Sequence, residues 1–273
     1  MAKILRGDIV AQKIISDLEP EIQDLKAKNI KPVLAIILIG DDPASKIYVN
    51  QKQSRVEALG FSFNLYEFLP IATEVQIIEL IEKLDQAEHV DGILVQLPLP
   101  HSFKKEKILG KINLKKDIDA LNKNSKYKSP TAQAILEILK FYKIPIKQKK
   151  MVIVGKGILV GKPLAKLAKG AGANVTICDN KTKNLKMIIK KAEILVAGVG
   201  KENLIKDNMV SRDCVVVDAG TQVVNGSQVG DVDFGNVARK VKAITPPKGG
   251  VGPVTVACLI RNLIISAKNR ERS

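Results

Sequence analysis

Tryptophan is absent from this chain, and aromatic residues make up only 4% of it. Surfaces that grip single-stranded nucleic acid stack bases on aromatic side chains, so such a surface has few footholds here. Cysteine is scarce as well, with Cys178, Cys214 and Cys258 scattered at spacings that fit no metal site. Reduced thiols in a cytoplasmic protein are the expectation, with no metal. No apolar run has the length of a membrane span. "VLAIILIG" at 33–40 is strand-length. The opening "MAKILRGDIVAQKII" carries charges through a helical pattern and does not read as a secretion signal. Acids are few beside bases, 28 against 44, a net charge of +16. That balance suits nucleic acid or a small polyanion, or else lysines spread over solvated helix faces. The lysines are dispersed, dense only in "KKDIDALNKNSKYKS" and "IKQKK". Neither nucleic acid nor a membrane is expected as a partner.

What is present is an α/β rhythm. "PVLAIILIG" (32–40), "FSFNLYEFL" (61–69) and "DGILVQL" (91–97) read as strands. Between them lie a helix at about 43–59, with Asp42 as N-cap and Pro43 in its first position, and a helix capped by Thr73. A second series follows the lysines near 147–150: strands at 151–155, 173–179, 193–199, 214–220 and 242–246. A helix at 129–142 bridges the halves, and one at about 253–269 closes the chain. The alternation implies two α/β units with mostly parallel sheets.

Two stretches carry candidate chemistry. "VIVGKGILVGKP" (152–163) is a strand, a glycine turn and a helix start. Gly155 and Gly157 permit a tight turn, and the helix beyond offers free amides to a pyrophosphate. Asp179 ends the next strand, where an acid accepts hydrogen bonds from a ribose. Glycines also mark ordinary strand-to-helix turns. In "GDDPASKIYVNQK" (40–52), Tyr48 and Lys52 stand one helical turn apart on a face continued by Val56 and Leu59. A lysine there either snorkels to water or is held for chemistry.

"GDDPASKIYVNQK", "DGILVQLPLP", "KKDID", "GILVGKP" and "GGVGPVT" occur in this order along the chain. Together they resemble the bifunctional methylenetetrahydrofolate dehydrogenase/cyclohydrolase family over nearly the whole length. The resemblance implies a folate-binding catalytic domain at 1–126, joined by the C-terminal helix at 256–273, and a Rossmann-type NAD(P)-binding domain at 127–255. It implies oxidation of 5,10-methylenetetrahydrofolate by NADP, with NAD a close alternative, then hydrolysis to 10-formyltetrahydrofolate. A dehydrogenase without the hydrolase, or a dinucleotide-binding regulator that kept the fold, remain open alternatives. A cytoplasmic homodimer is implied too.

The resemblance also implies roles. Lys52 handles protons around the attacking water, with Gln96 as its hydrogen-bonding partner and Tyr48 packing on the pterin. Asp119, the second acid of "DID", holds the pterin's amino group and ring N–H. Leu97, Pro98, Gly249, Gly250, Gly252 and Pro253 line the folate site. Gly155, Lys156, Gly157, Val160, Gly161, Asp179, Asn180 and Thr221 line the dinucleotide site. Read without the family, Asp119 is a solvated loop acid and "GGVGP" a structural turn.

Several positions depart from the family pattern. Ala120 stands where glycine is usual, and only Thr131 survives of the proline- and cysteine-bearing stretch at 129–134. Lys248 replaces a proline. Gly155-Lys156-Gly157 replaces Gly-Arg-Ser, and Asp179-Asn180 replaces His-Ser. The last two changes bear on cofactor choice: Lys156 or Lys181 suits a 2′-phosphate, whereas an Asp179 facing the ribose favours NAD.

Overall fold

The structure, a computed structural model, describes residues 1–100, 102–224 and 227–271; the last two residues of the expected C-terminal helix, 272 and 273, lie outside them. The elements run β1 (Lys3–Ile4), α1 (Gly7–Asp17), α2 (Glu19–Ala27), β2 (Val33–Ile39), α3 (Pro43–Ala58), β3 (Ser62–Phe68), α4 (Glu74–Gln86), β4 (Gly92–Val95) and α5 (Lys105–Leu109). They continue as α6 (Pro130–Phe141), β5 (Lys150–Val154), α7 (Gly161–Gly170), β6 (Asn174–Cys178), α8 (Leu185–Lys190), β7 (Ile194–Ala197) and β8 (Val215–Asp218). Last come β9 (Gln222–Val224), β10 (Ser227–Val229), α9 (Phe234–Val237), β11 (Ala243–Ile244) and α10 (Val251–Glu271). The chain divides into two compact units, one of residues 15–130 and 256–273, the other of residues 1–14 and 131–255.

The first unit is built on a parallel sheet in the order β3-β2-β4. All seven residues of β2 are buried, as expected of a central parallel strand covered on both faces. Its register sets Ile37 beside Val95, so Gln96 emerges just past the end of β4. Helix α3 starts where Asp42 accepts hydrogen bonds from the Ser45 amide (2.8 Å) and hydroxyl (2.7 Å), with Pro43 in the first turn. Thr73 and Gln76 form a reciprocal capping box at the start of α4.

Helix α10 closes this unit. Its window Val251–Arg270 has the length and mean hydropathy (1.4) of a membrane span, which the search for apolar runs does not anticipate. Two-thirds of that window is buried within the protein, and its polar residues have internal partners. Asn262 donates to the carbonyls of Ile118 (2.8 Å) and Lys128 (3.0 Å), and Ser266 to those of Asp91 (2.6 Å) and Lys115 (2.9 Å). Arg270 pairs with buried Asp91 at 3.1 Å. Gly92 is required beneath it, since a Cβ there would lie 2.6 Å from Ile118 and 3.0 Å from Leu263.

The second unit has a six-stranded, all-parallel sheet in the order β1-β11-β8-β7-β5-β6, with β9 and β10 forming a separate antiparallel hairpin. From β5 the chain steps first to one side (β6) and then to the other (β7). The carboxyl end of β5 is therefore the topological switch point, where open parallel sheets take ligands. Residues 1–14 group here, not with the folate domain expected at 1–126. The expected helical pattern begins only at Gly7, with α1; before it, Lys3 and Ile4 pair with Ala243 and Ile244, and Leu5 donates to Ile244 at 2.8 Å.

Candidate active site

In the first unit, the end of β4, helix α3 and the loop after residue 116 bring three of the expected residues together. Lys52 Nζ donates to Gln96 Oε1 at 2.6 Å, and Gln96 Nε2 donates to the Leu97 carbonyl at 2.7 Å. The second bond orients the amide so that its oxygen faces the amine. Gln96 is buried, its own amide bonded to Ile37 at 2.9 Å. Tyr48 precedes Lys52 by one turn of α3 and is half-buried, as is Lys52. Leu97 is half-buried, Pro98 is exposed, and the peptide bond between them is cis.

Asp119 is the electrostatic neighbour of Lys52. Burial lowers the proton affinity of the Lys52 amine, and the Asp119 charge works against that shift. Burial raises the Asp119 pKa to about 7; Lys52 opposes the rise and Asp117 adds to it. Both groups are thus pushed toward their neutral forms. A carboxyl and an amine so placed can pass a proton between themselves and a substrate.

The two acids of "DID" do different work. Asp117 is fully buried, and its carboxylate accepts from the amides of Leu121 and Asn122, each at 3.0 Å. Burial lifts its pKa to about 6, and these bonds restrain the rise. It braces the loop that presents Asp119. That loop is tied to β4 by Ile93 donating to Lys116 at 2.8 Å. Ala120 has φ +56°, a left-handed conformation that costs an L-residue roughly 1–2 kcal/mol. Ala120→Gly is therefore expected to stabilise the chain by about 1 kcal/mol, part of the relief being offset in the unfolded state. A denaturant midpoint shifted downward would show instead that the Ala120 methyl contributes packing.

The dinucleotide candidates lie in the second unit, most of them at the carboxyl ends of β5 and β6. Gly155 has φ +113°, and a Cβ on it would sit 2.4 Å from the Gly198 carbonyl. A Cβ on Gly161 would lie 1.9 Å from the Gly155 carbonyl. Both glycines serve close backbone packing. Gly157 differs: a Cβ there would meet nothing within 4 Å. The turn at the start of α7 thus has open space before it, a fit for a pyrophosphate at a helix N-terminus. Val160 is buried against Gly198, so its side chain supports the turn rather than facing a ligand. Lys156, Asn180 and Lys181 are exposed. Asp179 Oδ1 accepts from the Lys181 amide (3.0 Å) and the Thr182 hydroxyl (3.2 Å), so one carboxylate oxygen is engaged in its own loop. Thr221 is half-buried between Gly220 and β9.

"GGVGP" also lies in the second unit and is only partly a turn. Gly249 has φ +75°, and its carbonyl accepts from Gly7 (2.7 Å) and Asp8 (3.2 Å). A Cβ on Gly250 would lie 2.3 Å from the Pro246 carbonyl. Gly252 and Pro253 already belong to the first turn of α10, where proline is tolerated because it removes no intrahelical bond.

Profiles described as tetrahydrofolate dehydrogenase/cyclohydrolase, catalytic domain, and tetrahydrofolate dehydrogenase/cyclohydrolase, NAD(P)-binding domain, match residues 5–119 and 129–271. The chain belongs to the tetrahydrofolate dehydrogenase/cyclohydrolase family. "Bifunctional protein FolD" of Campylobacter hominis is 40% identical over 98% of each chain. The crystal structure of the bifunctional FolD methylenetetrahydrofolate dehydrogenase/cyclohydrolase of Campylobacter jejuni is 37% identical, with a TM-score of 0.92 over 99% of this chain and 100% of that one. The Trypanosoma brucei N5,N10-methylenetetrahydrofolate dehydrogenase-cyclohydrolase, solved with NADP and an inhibitor, is 30% identical, with a TM-score of 0.93 over 100% of this chain and 99% of that one.

In this member of the tetrahydrofolate dehydrogenase/cyclohydrolase family, sequence reasoning passes over a pair of buried acids, Asp218 and Asp231. Burial raises the pKa of Asp218 to about 7, assisted by Asp231, while amide hydrogen bonds hold it back. Burial raises Asp231 as well. Their sequence signal is faint: glycines two residues after the one and immediately before the other, Gly220 and Gly230.

Proposed function

We propose that the chain oxidises 5,10-methylenetetrahydrofolate with NADP and hydrolyses the methenyl product to 10-formyltetrahydrofolate. The observation that carries this is the Lys52–Gln96 hydrogen bond beside Asp119, in a chain of this family. The turn at Gly155–Gly161 would hold NADP, which would supply the acceptor for the hydride leaving the bridging carbon with its electron pair. The methenyl carbon left behind is an electrophile that water attacks. As a neutral amine, Lys52 takes a proton from that water and returns it to N5 as the carbon–nitrogen bond breaks. Gln96 holds the amine in place. Asp119 pairs with the pterin's N–H groups through charge-assisted hydrogen bonds, with Tyr48, Leu97 and Pro98 completing the folate site.

NADP is chosen over NAD for two reasons. Exposed Lys156 and Lys181 are available to a 2′-phosphate, and one Asp179 carboxylate oxygen is engaged in its own loop. The test is turnover of methylenetetrahydrofolate with each nicotinamide, read as absorbance of the reduced cofactor. Turnover with neither would end this reading. Asp179→Ser is expected to raise the NADP-to-NAD ratio of kcat/KM about fivefold, the worth of roughly 1 kcal/mol between like charges in water. An unchanged ratio would place that carboxylate away from the ribose. The same reading extends to a homodimer in the cytoplasm, testable by light scattering and cell fractionation.

A further inference from the structure

Asp231 takes no part in the chemistry above, yet it is wholly buried. Its carboxylate accepts from the Val199 amide at 2.5 Å and the Lys201 amide at 2.7 Å, one on each oxygen. Those amides belong to the turn that follows β7, beside β5 at the switch point. The same turn touches the mouth of α7, because Gly198 packs directly on Val160. Asp231 is itself held: its amide (3.2 Å) and that of Val232 (2.9 Å) donate to Asp218, the last residue of β8. The Gly220 amide joins them at 3.1 Å. Glycines make the room, since a Cβ on Gly220 would lie 2.1 Å from the Asp231 carboxyl carbon and one on Gly230 2.0 Å from Asp218 Oδ2. Gln222 adds a tie from its side-chain amide to the Gly200 carbonyl.

We infer that Asp231 is a positioning residue for the dinucleotide, fixing the turn after β7 against which the cofactor lies. A buried carboxylate is costly unless its hydrogen bonds are made. Those of Asp231 are made by the turn after β7, and those of Asp218 by the Gly220 amide after β8 and by the amides of Asp231 and Val232, at the rim where open parallel sheets take ligands. The two acids lock these turns to each other, and the cofactor meets a rim already in place. The inference rests on the dinucleotide seat proposed above.

The test is Asp231→Asn in the full chain. Asparagine keeps the shape but turns a donor toward one of the two amides. The KM for NADP is expected to rise about tenfold, the worth of one hydrogen bond to a charged group. Methenyl hydrolysis, assayed without dinucleotide, serves as the internal reference and is expected to stay at the wild-type level. An unchanged KM, or an equal fall of both activities in a folded variant, overturns the inference. If Asp231→Asn does not fold, Gln222→Ala decides, because it cuts another tie of the same turn from a half-exposed position. A raised NADP KM with hydrolysis intact supports the inference, and an unchanged KM overturns it. A wild-type chain that reduces no nicotinamide would instead strike the proposed function.

Discussion

Lys52→Met lowers methenyl hydrolysis by about a hundred- to ten-thousand-fold, the usual worth of a positioned general acid–base group. Methionine keeps the length and the apolar stem and removes only the amine, so α3 is expected to fold unchanged. Loss is expected mainly in kcat, because proton transfer is made only on the way through the transition state. Gln96, left with its carbonyl oxygen unpaired and buried, adds a smaller loss of stability. Hydrolysis retained at the wild-type rate would remove Lys52 from its assigned role.

Asp119→Asn separates binding from proton handling. The KM for the folate is expected to rise about ten- to a hundredfold, since hydrogen bonds to a charged group are worth roughly 1.5–3 kcal/mol. The pH profile is the second readout. In the wild-type chain burial lowers the proton affinity of Lys52 and the Asp119 charge opposes that shift. Hydrolysis is expected to rise with pH as the neutral amine becomes available. Asp119 raises the proton affinity of Lys52, so its neutralisation moves the ascending limb to lower pH. A limb that stays in place, or moves up, would uncouple the two groups. Asp117→Asn gives a contrasting result: its carboxylate is spent on the amides of Leu121 and Asn122, so the cost falls on stability.

Much of the first unit is legible in the sequence because its signals are local. The apolar run of β2, Asp42 and Pro43 at the head of α3, Thr73 as the cap of α4 and Gln96 at the end of β4 each announce themselves within a few residues. The rest depends on distant partners. β1 is two residues long and exists only by pairing with β11; read alone, it joins the helical pattern after it. Nothing local separates the two acids of "DID"; the amides of Leu121 and Asn122 decide that Asp117 is the brace. The glycine-rich segment reads as a turn, whereas its second half is the first turn of α10. The buried acids Asp218 and Asp231 are invisible to periodicity because each is satisfied by backbone amides remote in sequence.

Each compact unit is assembled from two separate pieces of chain, 1–14 with 131–255 and 15–130 with 256–273. Ribosomal synthesis delivers the polypeptide from its first residue onward, so neither unit can close early. The nascent Lys3–Ile4 must wait for residue 243, and the Asp91 carboxylate waits for Arg270. Premature termination just before α10 would leave the first unit without its closing helix, whereas the second, with β1 and β11 already paired, would lack only residues 251–255.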